Sequence, residues 1–549
     1  LSVATDLGKA SARQDEGVPR PRGGAHSASK DVRLRRGASG PVPPPVIPSP
    51  RRTVPGGTAA GLAAAAVVVT VIPLVLVQVP DAIAWSLPAR FAHGGPNTLA
   101  SLLRAAGLAL PVMAVAAPFG ALATRRFRAA PVLLAGLLAI GAADVLGETA
   151  RTVLLIGADR SLHGAGAGVS MAAVTALAAE RRPAARSLAG WWACVTVSGL
   201  VAAPELMRYR ITSGGWSAAL HPYPWLTGIA LTLTALYAML AEGTATAAVR
   251  GGFPAVERAH LALLAAPVAG LSAICVAVTY RGDRAVVAAA IADVIALAGL
   301  TVVTARVSTA ARFAVVCAVT GFTLAPAAGA VTALSQPAAQ PGFAALAAAL
   351  CGAALALASR TAPGRAITAS GLFVAAASFG AAYLAGPFGA AYLAGPGLSR
   401  PGVLTIVCVP LAGGLAAALA ASLRATTAGP AAAGGQAGGA VCGVVLLLAG
   451  VASGFLAAGA VQLHALADAR TASAVHAALV AGASRWALAA AVVTATAGLA
   501  LACATGRRAG PAGRRHAGSW VSCGSVANHH QPAAARSRPG DRDRIPGTQ

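Results

Sequence analysis

Two stretches of this chain, Ala59–Val79 and Ala259–Val278, contain no Asp, Glu, Lys or Arg. Each is close to the roughly 20 residues a helix needs to cross about 30 Å of hydrocarbon. Comparable runs recur along most of the 549 residues. With 56% hydrophobic and 11% charged residues, the chain lies far outside soluble composition and reads as a multi-span integral membrane protein. Inside a bilayer the backbone is satisfied only by helices or by a closed barrel. A barrel would need aromatic girdles and alternating strands, whereas aromatics make up 4% of the chain. The expected fold class is therefore an all-α polytopic membrane protein.

The net charge of +25 suggests a nucleic-acid footprint until its distribution is considered. About 18 of the 42 basic residues fall in the two tails, and most others lie in short links between apolar runs. The orientation rule for membrane proteins explains that pattern without a nucleic-acid partner. No lysine follows Lys30, so no phosphate-binding GxxxxGK loop exists and an ATP-driven pump within this chain is excluded. Seven cysteines (Cys194, Cys275, Cys317, Cys351, Cys408, Cys442 and Cys503) stand singly in apolar runs and read as small packing residues. Cys523 near His529 and His530 lacks a fourth ligand. Neither a metal nor a cofactor is expected.

Hydropathy delimits about 14 candidate helices: 59–84, 98–121, 130–147, 152–178, 187–206, 222–241, 259–279, 285–305, 312–334, 342–358, 366–386, 402–423, 439–461 and 485–504. Residues 1–57 and 506–549 read as disordered basic cytoplasmic tails. With the N-terminus inside, the cytoplasmic links carry Arg125, Arg126 and Arg128, then Arg181, Arg182 and Arg186, and later Arg360, Arg365 and Arg424. All links are short, leaving no room for a soluble catalytic domain. A tandem copy, FGAAYLAGP at Phe379–Pro387 and again at Phe388–Pro396, reads as a duplication that lengthens an external loop.

Several motifs carry more information. Gly120-Ala-Leu-Ala-Thr-Arg-Arg-Phe-Arg128 reads as a glycine-ended helix followed by a tight basic turn. Arg160-Ser-Leu-His-Gly164-Ala-Gly166-Ala-Gly168 places an arginine inside a membrane helix, at a cost of about 2.5–3.5 kcal/mol on insertion scales, so it should face a partner or water. Its glycines flatten a face on which another backbone can lie closely. Gly190, Gly199 and Ala203-Pro204 follow, then Gly215-Trp216, and Ser359-Arg360-Thr-Ala-Pro-Gly364-Arg365 forms a second basic turn.

In order and spacing these segments resemble the signatures of the major facilitator superfamily, in particular its fourteen-helix drug:proton antiporter branch. The first basic turn matches at Gly120, Leu122, Ala123, Arg125 and Arg128, with Thr124 at the family's Asp and Phe127 at its second Gly. His163 stands where Gln is common, and the glycine pair that closes the helix-5 signature is replaced by Met207 and Arg208. In the first helix Val79 takes the place of the usual Asp, and the nearest acid is Asp81.

The resemblance implies a six-helix bundle over residues 58–244, two inserted helices over 245–310 and a second six-helix bundle over 311–505, rocking around a central site. It implies secondary export of a small amphipathic molecule in exchange for protons, by a monomer in the inner (plasma) membrane with both termini cytoplasmic. Asp81, Arg160 and Asp293 are the expected proton-coupling and cavity residues. Asp81 is favoured over Asp293 as the proton carrier, although its place near the external end of its helix equally allows it to face water. Gly120, Arg125, Arg128, Gly164, Gly166, Gly168, Gly190, Gly199, Pro204, Arg360, Gly364 and Arg365 are the expected gating or signature positions. Arg104, Asp144, Asp159 and Glu205 are further intramembrane polar groups. Neighbours on a helix point about 100° apart, so Asp159 is expected to turn from Arg160 toward another helix. Two other readings are an uncoupled transporter-like sensor or scaffold, and a polytopic lipid-linked glycan flippase or enzyme.

The arginine distribution generates a topological prediction. Reporter fusions at Ser29 and Ser519 should both read as cytoplasmic. An external location for both would overturn the orientation.

Overall fold

The computed structural model describes residues 101–102, 104–180, 188–201, 220–221, 224–241, 266–274, 276–277, 283–307, 310–334, 341–358, 364–392, 400–427, 436–466 and 472–504. All lie in one contact unit, Thr53–Gln549. The helices are α1 (Ala109–Arg126), α2 (Ala129–Thr149), α3 (Val153–Glu180) and α4 (Leu188–Val201). There follow α5 (Pro224–Ala241), α6 (Asp283–Val307), α7 (Ala311–Leu334), α8 (Pro341–Ala358), α9 (Gly364–Tyr392), α10 (Arg400–Thr427), α11 (Gln436–Leu466) and α12 (Ala472–Cys503). Further helical residues precede α1 and occupy 266–274.

Alanine and leucine dominate these segments and have high helix propensity. Pro118, Pro326 and Pro410 sit within α1, α7 and α10, as neighbouring membrane helices permit. Among the described residues eight helices are long and apolar enough to cross a membrane. Leu138, Val145, Leu154, Ile295, Leu355 and Val492 are all more than half exposed. Apolar residues so widely displayed suit contact with lipid rather than water. The chain is a multi-pass membrane protein.

Each described helix falls on a hydropathic run, but three boundaries differ in kind. The helix containing Gly120 does not stop there. It continues to Arg126, so Arg125 and Arg126 form its last turn and the basic turn shrinks to Phe127 and Arg128. The FGAAYLAGP duplication does not begin a loop, because α9 runs through the whole first copy and into the second, extended by helix-forming alanines. Arg485, at the start of the last candidate helix, lies well inside α12, which begins at Ala472. Four of the cysteines are buried as expected, but Cys351 and Cys503 are exposed, which corrects their assignment to packing.

Helix pairing is set by close backbone approach. A Cβ at Gly164 would strike the Ala109 carbonyl of α1, one at Gly168 would strike the Met113 carbonyl four residues on, and one at Gly166 would meet Gly136 and Ile140 of α2. The stripe thus serves two partners, with Gly164 and Gly168 facing α1 and Gly166 facing α2. The pairings α1·α3, α2·α3 and α2·α5 recur later as α8·α10, α9·α10 and α9·α12. The glycines recur with them: Gly352 lies on Gly413 in α8·α10, and Gly371 on Gly414 in α9·α10. Trp192 of α4 packs on Phe313 of α7 with ring centroids 5.6 Å apart, and Phe322 of α7 packs on Trp486 of α12 at 5.1 Å.

Substituting Gly164 by Leu should therefore force α1 off α3. Overpacking typically costs about 1–3 kcal/mol, and a collision with backbone belongs at the upper end. The expected result is a large fall in monodisperse yield and in Tm in detergent. Gly228→Ala should lower neither, because apart from its own helix backbone and chain neighbours no atom lies within 4 Å of its would-be Cβ and alanine is the better helix former.

Candidate functional site

Three helices bring polar side chains together inside this apolar frame. From α3 come Asp159, Arg160 and His163, which are 0%, 2% and 4% exposed. Asp144 of α2 and Thr227 of α5 join them and are equally buried. The glycine contact between Gly166 and Gly136 holds α2 and α3 close enough for short side chains to meet across the seam.

His163 is the hub. Its Nε2 lies 3.2 Å from Asp144 Oδ1. Its Nδ1 lies 3.2 Å from the Asp159 carbonyl oxygen and 3.1 Å from Asp159 Oδ1. The carbonyl is the aligned acceptor, whereas the carboxylate oxygens lack hydrogen-bond geometry and act on the ring through charge. Thr227 Oγ1 donates to Asp144 Oδ2 at 2.8 Å, joining α5 to the same carboxylate. Arg160, adjacent in sequence, is under the field of Asp159. The cluster thus assembles two acids, one guanidinium and one imidazole in a buried seam, where such charges persist only if they offset one another.

Asp159 was expected to turn to a neighbouring helix. It lies instead against His163, one turn along its own helix. The i,i+4 spacing places the two side chains on one face, so it is the ring that reaches the other helix, through Asp144. Neither Asp144 nor His163 stood among the expected coupling residues. Each was visible in the sequence, but their meeting depends on the α2–α3 contact.

The other expected positions are dispersed. Asp81, Pro204 and Arg360 lie outside the described residues. Asp293 of α6 is fully buried and approaches Ser453 of α11, although no aligned hydrogen bond closes between them. Most of α6 is exposed, so this acid faces inward from a peripheral helix. Thr124, at the position of the family's Asp, turns its hydroxyl back to the Ala121 carbonyl at 2.8 Å and carries no charge. Gly120 lies inside α1 against the Val169 backbone. Arg125 is half-buried and Arg128 exposed. Gly190 packs on Leu357 of α8, and Gly199 is buried in α4. Gly364 and Arg365 open α9, while Arg424 Nη1 donates to the Leu357 carbonyl near the end of α8 at 3.3 Å. Among the described residues no group of three or more His, Cys, Asp or Glu side chains could hold a metal ion.

These features define a polytopic helical membrane protein with a buried, mutually neutralising cluster of charges. Solved structures that it resembles include transporters. The human organic anion transporter MFSD10 (TETRAN) superposes with a TM-score of 0.51 at 16% identity, covering 82% of this chain and all of that one. A POT family transporter in complex with a thioalcohol-conjugated peptide gives 0.53 at 11% identity, covering 82% and 96%. A peptide transporter of the same family gives 0.51 at 15%, covering 81% and 94%. The chain has an MFS-like fold. No family model and no curated protein matches it in sequence.

The Thr227 hydrogen bond crosses between helices, and its loss has a measurable cost. Thr227→Val should lower stability by about 1 kcal/mol, read as a fall in Tm. Thr232→Val is the control and should be close to neutral, because its hydroxyl bonds only to the Gly228 carbonyl of its own helix.

Proposed function

We propose that this protein is a secondary active transporter that exports a small amphipathic molecule in exchange for protons by alternating access. The observation that carries the reading is the buried Asp144–His163–Asp159–Arg160 cluster in an MFS-like fold. Ionisable groups inside a membrane protein are costly and commonly mark ion or substrate pathways. The recurrence of helix pairings supports division into bundles over 58–244 and 311–505, with 245–310 inserted between them. Rocking of one bundle against the other would expose a central site alternately to each side. The transporter works as a monomer in the plasma membrane, with both termini cytoplasmic and no cofactor.

In this reading Arg160 supplies a fixed positive charge facing the cavity of the first bundle, and Asp81 carries the coupling proton. Asp293 belongs to the inserted helices and serves assembly. The deciding experiment follows proton flux by fluorescence in everted vesicles challenged with a panel of lipophilic cations, antibiotics and siderophores. At least one compound should drive proton movement that is absent from vesicles lacking the protein. A complete absence of compound-driven flux across the panel counts against proton exchange and favours the uncoupled reading.

Two substitutions refine it. Arg160→Ala should abolish transport per folded molecule, with lowered abundance because the buried Asp159 loses an offsetting charge, and normal export by that variant would remove Arg160 from the mechanism. Asp81→Asn should remove the pH dependence while permitting downhill exchange, since an amide mimics only the protonated acid. Asp293→Asn should keep pH-driven export. The opposite pattern would reverse the assignment.

A further inference from the structure

The hydrogen-bond geometry around His163 fixes a proton count. Nδ1 has only acceptors in reach, the carbonyl and a carboxylate oxygen of Asp159, so it carries a hydrogen. Nε2 faces Asp144 Oδ1, while the other oxygen of Asp144 already accepts from Thr227. For the Nε2–Oδ1 contact to attract, one hydrogen must lie along it. It sits either on the ring with Asp144 ionised, or on Asp144 with the ring neutral. Both forms contain the same single proton, which belongs to the pair.

Charge balance gives that proton its importance. The occupied His163–Asp144 pair is neutral overall. Without the shared proton it sums to minus one, and a bare nitrogen lone pair faces a carboxylate. The side chains of His163, Asp144 and Asp159 are 5%, 8% and 0% exposed. An uncompensated charge buried this deeply costs several kcal/mol, a penalty relieved only if the seam opens and admits water.

The position suits such an opening. Asp144 lies five residues from the end of α2, about 8 Å along the axis, and Thr227 lies in the first turn of α5. The elements packed on α3 include α1, α2 and α11. Over their described side chains α1 and the turn before it offer Arg104, Arg125 and Arg126, α2 offers Asp144 and Glu148, and α11 offers Cys442. Of these only Asp144 acts on the ring, together with Asp159 and Arg160 of α3 itself.

We propose that His163 and Asp144 form a binding site for one exchangeable proton, and that its occupancy holds α2, with α5 joined to it through Thr227, closed against α3. The consequence for transport rests on the transporter reading, whereas the site itself does not. Loss of the proton opens this end of the first-half bundle and rebinding closes it. The site is distinct from Asp81.

The test uses the full chain in lipid nanodiscs and needs no transported compound. Nitrogen NMR of labelled histidine follows the ring, with the His163 signal identified as the one missing from His163→Gln. Amide hydrogen exchange follows residues 140–149 and 224–230. Raising the pH from about 6 to about 10, upward from the range where imidazoles ordinarily titrate because the bare pair leaves a buried charge, should release one proton from the His163–Asp144 pair. Over the same step, exchange in both segments should rise by about an order of magnitude. Asp144→Asn supplies a neutral acceptor and should abolish the exchange step while preserving the fold. The proposal is overturned if the ring and the exchange change at different pH values, if neither changes, or if the step survives in Asp144→Asn. If a variant does not fold, coincidence of the two wild-type steps decides the matter alone. Absence of proton-driven flux in vesicles would sink the transporter reading and leave this site to be judged by the NMR and exchange results.

Discussion

A charge placed in hydrocarbon has no water to turn to, so its partners must come from the protein, and the protein must bring them within a few ångströms. That requirement meets its answer on α3. One residue there is an arginine, its neighbour an acid and the residue one turn on a histidine, yet these alone do not complete the set. The missing carboxylate is on α2, and it reaches the ring because Gly166 and Gly136 let two backbones approach where any larger side chain would hold them apart. Removal of side chains at one point of the seam permits burial of charge at another.

The same economy organises the rest of the fold. Close approach through glycine defines α1·α3 and α2·α3, and it returns in α8·α10 and α9·α10 with different residues. The second set buries no comparable charges: among the described residues of α8, α9 and α10, the charged ones are Arg365 at the start of α9, and Arg400 and Arg424 near the two ends of α10. Two halves with like pairing thus differ in chemistry. The first carries charge in its seam, and the described helices of the second bury hydroxyls such as Thr368, Ser378 and Ser422 instead. Contacts such as Trp192 on Phe313 and Gly190 on Leu357 tie them together through α4. Alternating access would require contacts of this kind to break on one side and form on the other.

How much of this was legible in the sequence depended on the range of the signal. Helix existence rests on runs of apolar residues and is local, so the described helices fall where hydropathy places them. Their ends were less visible. Basic residues mark membrane boundaries but do not terminate helices, so α1 continues through Arg125 and Arg126 and α12 includes Arg485. The duplicated segment suggested a loop because it was an insertion, yet its alanines sustain α9. Arg160 stood out because a lone arginine between apolar residues is conspicuous. His163 and Asp144 did not, since each has an ordinary explanation by itself and their 19-residue separation says nothing until α2 and α3 are known to touch. Helical geometry misled in one respect: a difference of 100° between neighbours keeps Asp159 and Arg160 off one face, but both remain buried because the surroundings of α3 are protein on most sides.

Two of the three buried acids among the described residues, Asp293 and Asp144, illustrate why burial alone does not identify a proton site. Asp293 is more completely enclosed than Asp144, but the polar group it approaches is a serine hydroxyl, that of Ser453. Among the described residues no charged partner on another helix is tied to its protonation state. Asp144 is bound to a base on one helix and a hydroxyl on another. Adding or removing one proton there changes the force between three helices. Coupling between protonation and conformation requires a differential interaction between two states, and that difference exists where the proton is shared across a seam.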